Sequence, residues 1–311
     1  MRTVPLPSDP SFASFSTSLL ADEVVQTLAG SSGIDADRVR FMLEMAVGES
    51  AQTLRVLQGI GLPPHARVLE VGAGLGVTSA YLTTQGFDVT ALEPGGSGFE
   101  HYVVLAAGIA SWTGSPHAVL TMPAEELDPT QHGRFDLVYS NNVIEHVADP
   151  IVLLRTVAHV VDPEGLSVHS CANYSIPYEP HLGIPLVPGR PALTRWLLPR
   201  RVREGGLWKS LNFIRAKDVV EAATQSDRRL AFRPAALPAS LERLSTDQQF
   251  RDRHRAIARV ASVLIRIRFV GLLRRLPPTW STPMDFAILG PSFDETRLAE
   301  WRAVNDPHDS K

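Results

Sequence analysis

A chain of 311 residues, 44% of them hydrophobic and 20% charged, has the apolar content for one core domain with additions. A formal net charge of −3 gives no reason to expect nucleic acid as a partner, and the single cysteine, Cys171, excludes an internal disulfide and a cysteine-rich zinc site. No N-terminal run pairs basic residues with a long apolar stretch, and no uncharged segment of about 18 apolar residues occurs, so export and a spanning helix are not expected. The expected compartment is the reducing cytoplasm.

In chain order, residues 1–17 are rich in Ser and Pro and are expected to be poorly ordered. From Leu19 to Gly59 the pattern is helical. Phe41, Met42, Met45, Val47, Leu54 and Leu57 make broad apolar faces, and Gly59 to Pro64 supply the stop. The period then changes. Short apolar runs alternate with helical ones: strand 67–71, helix 76–84, strand 87–92, helix 98–111, strands 117–121 and 135–140, helix 149–161 and strand 165–171. Asp162-Pro163-Glu164-Gly165 reads as a turn feeding the last of these. Such alternation predicts a parallel sheet covered by helices. Residues 176–206 hold six prolines and read as an irregular insertion. Beyond it, Phe213 to Gln225 is predicted helical, Arg229 to Pro234 extended, 240–276 helical and strongly basic, and Asp285 opens a last strand. The expected organisation is an N-terminal helical cap (1–64), a core (65–175), a Pro-rich insertion (176–212) and a C-terminal part of the sheet (213–311).

The most informative stretch is Arg67-Val-Leu-Glu-Val-Gly-Ala-Gly-Leu-Gly76. A strand breaking into alternate glycines and then a helix lets backbone approach a ligand and aims a helix N-terminus at it. The next apolar run ends in Glu93, where a carboxylate can hold both hydroxyls of a ribose. These residues describe a nucleoside-containing cofactor at the carboxyl end of a parallel sheet.

The motifs VLEVGAGLG, ALEP, FDLVYSNNVIEHVADP and LLRTVAHVVDPEGLSVHS, in this order and spacing, resemble the class I S-adenosylmethionine-dependent methyltransferases of the type 11/12-like kind. The resemblance covers roughly residues 65–175. It implies a Rossmann-like, doubly wound α/β fold with a mostly parallel seven-stranded sheet, an N-terminal helical cap and helical insertions. A nicotinamide-dependent oxidoreductase is the rival, but its fingerprint wants G-x-G-x-x-G and here the third glycine, Gly76, comes one residue early. A third alternative is a methyltransferase-like binding protein without turnover.

The resemblance assigns Glu70, Gly72, Ala73, Gly74, Gly76 and Glu93 to S-adenosylmethionine, with Glu93 on the ribose. The adenine stretch departs from the family pattern: Pro123 stands where an Asp is usual, leaving the Ala124 backbone and Met122 to hold the base. Ser140 and Asn141 would contact the methionine moiety. His146 is the general-base candidate, with Glu145 beside it, since an imidazole can take a hydroxyl proton near pH 7. Capping or loop-holding is the alternative for both. In ubiquinone-type relatives an acid three residues before the Glu-His pair accompanies a metal; Asn142 stands there, so no metal is expected.

On the acceptor side, Asn142, Tyr174, Tyr178, Glu179 and His181 are hydrogen-bonding groups suited to a polyhydroxylated ligand. This run is similar to that in methyltransferases of surface-polysaccharide and glycoconjugate pathways, which implies a small-molecule or glycan acceptor. Residues 251–275 carry eight arginines against one acid, interleaved with apolar residues. They are expected either to pack on the sheet or to touch an anionic membrane at its inner face.

Overall fold

The computed structural model describes residues 4–5, 9–95, 100–114, 117–234, 238, 241, 244, 251, 273 and 275–303. The elements up to the second strand of the sheet are β1 (Val4–Pro5), α1 (Asp9–Leu19), α2 (Asp22–Ser32), α3 (Ala36–Leu57), β2 (Gly61–Leu62), β3 (Arg67–Val71), α4 (Val77–Thr84) and β4 (Asp88–Leu92). They are followed by α5 (Glu100–Trp112), β5 (Ala118–Leu120), α6 (Pro129–His132), β6 (Phe135–Asn141), α7 (Pro150–Val160), β7 (Val161–Cys171), β8 (Tyr178–Glu179) and β9 (Ile184–Pro185). The last are α8 (Arg200–Arg203), α9 (Gly206–Ser210), α10 (Ala216–Gln225), β10 (Arg229–Phe232), β11 (Met284–Leu289) and a closing helix at Ala299–Ala303. Seven strands form one sheet in the order β10-β11-β7-β6-β3-β4-β5. β3 pairs in parallel with both β4 and β6, and β4 with β5. The chain runs outward from β3 to β5 and then returns to β6 on the other side of β3. That reversal leaves a crevice beyond the carboxyl ends of β3 and β6.

The chain divides into two compact units. The first comprises Met1–Asn141, Thr156–Val168 and Leu289–Trp301. Val68, Leu69, Leu137 and Val138 are fully buried on adjacent strands, as the two-faced burial of a parallel sheet demands. The stretch expected to be poorly ordered instead includes α1. Phe12 is buried, and Phe12 and Phe15 pack on Tyr81 with ring centroids 5.0 and 5.3 Å away. Two aromatics three residues apart outweigh the Ser and Pro around them, because burying large apolar side chains contributes more than local propensity. The helical run from Leu19 is likewise two helices. Gly33 sits in the left-handed region at φ +70°, and Asp35 caps α3 by accepting from the N–H groups of Asp37 and Arg38.

The expected Asp162–Gly165 turn lies inside β7. Pro163 O accepts from Ser292 N at 2.8 Å and Gly165 O from Gly290 N at 2.9 Å, so backbone pairing is available from the first residues of the strand. A Cβ on Gly165 would stand 2.7 Å from Asp136 O, a close approach that only glycine allows. The closing helix locks onto α3. Trp301 is fully buried and its ring N–H donates to Val56 O at 2.8 Å. Trp301→Phe should lower unfolding stability by about 1–2 kcal/mol, through an orphaned carbonyl and lost volume, measurable by chemical denaturation.

The second unit comprises Asn142–Arg155, His169–Ile288 and Arg302–Lys311. Its polar hub is Asn173, which is fully buried. Its side-chain amide donates to Thr279 O and Ser281 O and its carbonyl accepts from Ser175 N and Ala216 N. Helix α10 begins at Ala216 rather than Phe213, because Phe213 is left-handed at φ 58° and cannot continue a helix. Within the Pro-rich insertion, β8 and β9 pair antiparallel. The basic segment 251–275 falls, but for single positions, outside the described residues.

Candidate cofactor cavity and acid–base cluster

The glycine loop after β3 is bent by three left-handed residues, Gly72, Gly74 and Gly76, at φ +74°, +54° and +68°. The N–H groups of Gly72 and Ala73 both donate to Leu92 O, which ties the loop to the end of β4. Gly74 N donates to Glu93 Oε2 at 2.8 Å. A Cβ built on Gly74 would meet no protein atom within 4 Å, so this face of the loop opens into free space. That space is a cavity of about 300 Å³ wholly within the first unit.

Of the residues expected to hold the cofactor, Glu70, Gly72, Ala73, Gly74 and Asn141 line this cavity. The other five do not. Gly76 caps α4 with its Cβ direction facing His117, and Glu93 braces the loop from outside the lining. Met122 is half-buried, Ala124 is buried at the start of a 3-10 turn, and Ser140 is buried in β6. The rest of the wall comes from residues that the sequence reading placed elsewhere or did not name. It includes Phe41, Met42, Met45, Glu49, Ser50 and Thr53 on α3, Val77 and Thr78 on α4 and Tyr102 on α5. Asn141 is held there by donating to Thr53 Oγ1 at 3.2 Å.

Charge selects the ligand. Glu49 and Glu70 line the cavity, and no Lys, Arg or His does so among the described residues. The loop amide of Gly74, a natural phosphate donor, is already committed to the Glu93 carboxylate. A dinucleotide pyrophosphate would meet the acidic side chain of Glu49 and a used donor, whereas an adenosyl sulfonium with its ammonium group is cationic and suits this wall. Glycine backbone, thioethers and Phe41 leave room for an apolar, nucleoside-sized body.

Burial pushes the Glu70 carboxyl from 4.5 up to about 7, although hydrogen bonds from the Ser79 side chain and backbone oppose the rise. The folded chain therefore holds a proton that the unfolded chain has lost between pH 4.5 and about 7. This stabilising contribution is present below pH 4.5 and gone above about 7. Its loss should cost about 3 kcal/mol across that window, and Glu70→Gln should flatten the decline in urea melts taken at each pH.

The second unit carries a separate cluster. A 3-10 turn at Ile144–His146 follows Asn142, which is left-handed at φ 56°. Asn212, not anticipated from sequence, clasps this turn by donating to Ile144 O and Val147 O from its side chain and to Glu145 O from its backbone. His146 Nδ1 lies 2.8 Å from Ser210 Oγ, and that hydroxyl gives its one proton to Leu207 O at 2.9 Å. With that hydroxyl bonded to Leu207 O, Ser210 can accept from His146 Nδ1–H, the tautomer that leaves the lone pair of the imidazole on Nε2. Burial first, and then His181, push His146 down to about 4, so the ring is neutral at pH 7.

Glu145 is fully buried, accepts from Ala172 N at 3.2 Å, and stands 3.6 Å from His181 Nε2. Burial raises its carboxyl to about 7, with His181 opposing. Glu179 accepts from His181 Nδ1 at 2.7 Å and from the Tyr174 hydroxyl. Burial pushes Glu179 up, but these hydrogen bonds more than offset it and hold it below the usual carboxylate range. Tyr178, half-buried beside them, is pushed up to about 12 by burial and by Glu179. The fold thus joins Tyr174, Glu179, His181, Glu145 and His146 into one network. One ligand atom each from Glu145, His146 and His181 lie within 4.8 Å of one another, a donor set of the type that holds zinc. Asn142, whose identity argued against a metal, is not among the three; His181 supplies the third donor from the insertion.

A family model described as a methyltransferase domain matches residues 46–224. The chain belongs to this family. Its methyl donor is S-adenosyl-L-methionine, and the cavity of the first unit fits that cation; the oxidoreductase reading finds no support. An uncharacterised protein of Mycobacterium tuberculosis is 35% identical over 235 residues, 72% of this chain and 78% of that one. A ubiquinone biosynthesis O-methyltransferase of Azorhizobium caulinodans is 32% identical over 138 residues, 44% of this chain and 50% of the relative. Among solved structures, Haemonchus contortus phosphoethanolamine N-methyltransferase 2 with S-adenosyl-L-methionine shares the fold, with a TM-score of 0.50 and 14% identity over 93% of this chain and 61% of that one. No described helix of this methyltransferase is long and apolar enough to cross a membrane.

Proposed function

We propose that this methyltransferase acts on oxygen, methylating a hydroxyl of a sugar or another small hydroxylated metabolite. The observation that carries the reading is the neutral imidazole of His146 bonded through Nδ1 to Ser210, an arrangement that, with the proton on Nδ1, leaves Nε2 to take a hydroxyl proton. A carboxylate is already anionic and needs no such base. The similarity to a ubiquinone biosynthesis O-methyltransferase supports the same atom.

The donor supplies an electrophilic methyl group on a sulfonium. The residues of the chain do the rest. Glu70, Asn141 and the Gly72–Gly74 backbone seat the donor, with Glu93 holding the loop and, on the family pattern, reaching the ribose. Met122 and Ala124 would pack on the base and Ser140 on the methionine moiety. His146 takes the acceptor proton, Ser210 fixes its tautomer, and Glu145 steadies the turn. Asn142, Tyr174, Tyr178, Glu179 and His181 offer donors and acceptors to a polyhydroxylated molecule, which favours a glycan-type acceptor over an apolar ring. The family gain comes from alignment of nucleophile, methyl and sulfur, so acceptor positioning governs rate.

The test is transfer of labelled methyl from S-adenosylmethionine into a panel of sugars, glycoconjugates, phenols and amines. Label retained as an acid-stable ether on a sugar hydroxyl bears the reading out. Label on nitrogen, or on phenols with sugars untouched, overturns it.

A further inference from the structure

The Pro-rich insertion of the second unit exposes a patch that the transfer chemistry leaves unused. On the 3-10 helix Pro191–Leu197, Leu193, Trp196 and Leu197 are 44, 68 and 77% exposed. Leu207 follows at 38% on α9. Single exposed leucines are ordinary; a tryptophan and three leucines within fifteen residues are not. The patch is built rather than frayed. Thr194 is buried and its hydroxyl accepts from Val187 N at 2.9 Å, while Trp208 is buried against Phe213 with ring centroids 5.5 Å apart. Only the outer side chains are left in water.

Charge names the occupant. Residues 190–209 hold six basic residues and one acid, Glu204, which is paired with Arg200. The Arg195 guanidinium lies over the Trp196 ring, 5.0 Å from its centroid, so cation and indole are presented together. Indole and leucine at the depth of lipid headgroups, with Arg195 beside them in a strongly basic segment, match an anionic bilayer surface. We infer that residues 190–209 are an interfacial anchor that seats this protein on anionic membrane. The expectation from sequence placed membrane contact at 251–275; this surface is a different one, and it stands independently of the acceptor proposal.

The test is co-sedimentation of the full-length protein with vesicles of phosphatidylglycerol and phosphatidylcholine, against phosphatidylcholine alone. Partition should favour the anionic vesicles by at least about tenfold. The pair Trp196→Ser with Leu197→Ser should lose roughly tenfold or more, since each large side chain withdrawn from water is worth about that factor. Arg195→Glu with Arg201→Glu should lose binding to anionic vesicles as well. Quenching of tryptophan fluorescence by brominated phosphatidylglycerol gives a readout that needs no variant. The inference fails if the unaltered protein stays in solution with no quenching, or if both variants bind like it, which would move the contact elsewhere. It fails equally if light scattering shows a dimer that the Trp196→Ser, Leu197→Ser pair splits, because the patch would then be a self-interface.

Discussion

Gly74→Val should abolish binding of S-adenosylmethionine and S-adenosylhomocysteine in titration calorimetry, with affinity down at least about a hundredfold. Two effects act together. The new side chain projects into the cavity, where no protein atom lies within 4 Å of a Cβ and the ligand would stand. The residue also sits at φ +54°, and a β-branched side chain in the left-handed region costs about 1–3 kcal/mol, which distorts the loop that Glu93 braces. Gly74→Ala separates them, since it adds a methyl with less strain, and should retain weak binding. Because the cavity rather than the core receives the side chain, most of the effect falls on affinity and little on the melting temperature. Unchanged affinity in the valine variant would remove the cavity as the donor site.

The second large effect concerns the base. His146→Ala should reduce kcat by roughly a hundred- to ten-thousandfold while leaving donor affinity alone. The pH profile carries more information. A base held at about 4 is unprotonated throughout the neutral range, so the His146 limb of kcat/KM should lie near 4, and any limb near 7 belongs to Glu70 or Glu145. Ser210→Ala removes the acceptor for Nδ1–H and should lower kcat less than loss of the ring itself, without moving donor affinity. A His146→Ala enzyme of full activity would show that the ring only supports its turn.

The core was readable because its physics is local. Apolar runs of strand length ending in glycine at Gly72 and in an acid at Glu93 carry both the sheet and the loop in a few residues, and the structure puts β3 and β4 within one residue of the expected bounds. What was misread is what depends on distant partners. Phe41, Met42 and Met45 read as part of the broad apolar faces of the helical run; only the folded chain shows that they, with Glu49, line the cavity. A glutamate on an apolar helix face was the one available hint. His181 joins Glu145 and His146 through the path of the insertion, across more than thirty residues of sequence, which no spacing rule encodes. Likewise α1 owes its order to Tyr81, some seventy positions further on.

Helix α3 belongs to two structures at once: Val39, Leu43 and Leu57 are sealed into the interior while Phe41, Met42 and Met45 line the cavity. Trimming the protein back to its Gly-loop sheet would therefore remove a wall of the receptacle along with the cap. Donor occupancy should in turn stiffen the amino-terminal third, slowing its digestion by protease. Recognition of the methyl donor and integrity of the leading helices are, in this design, a single cooperative property.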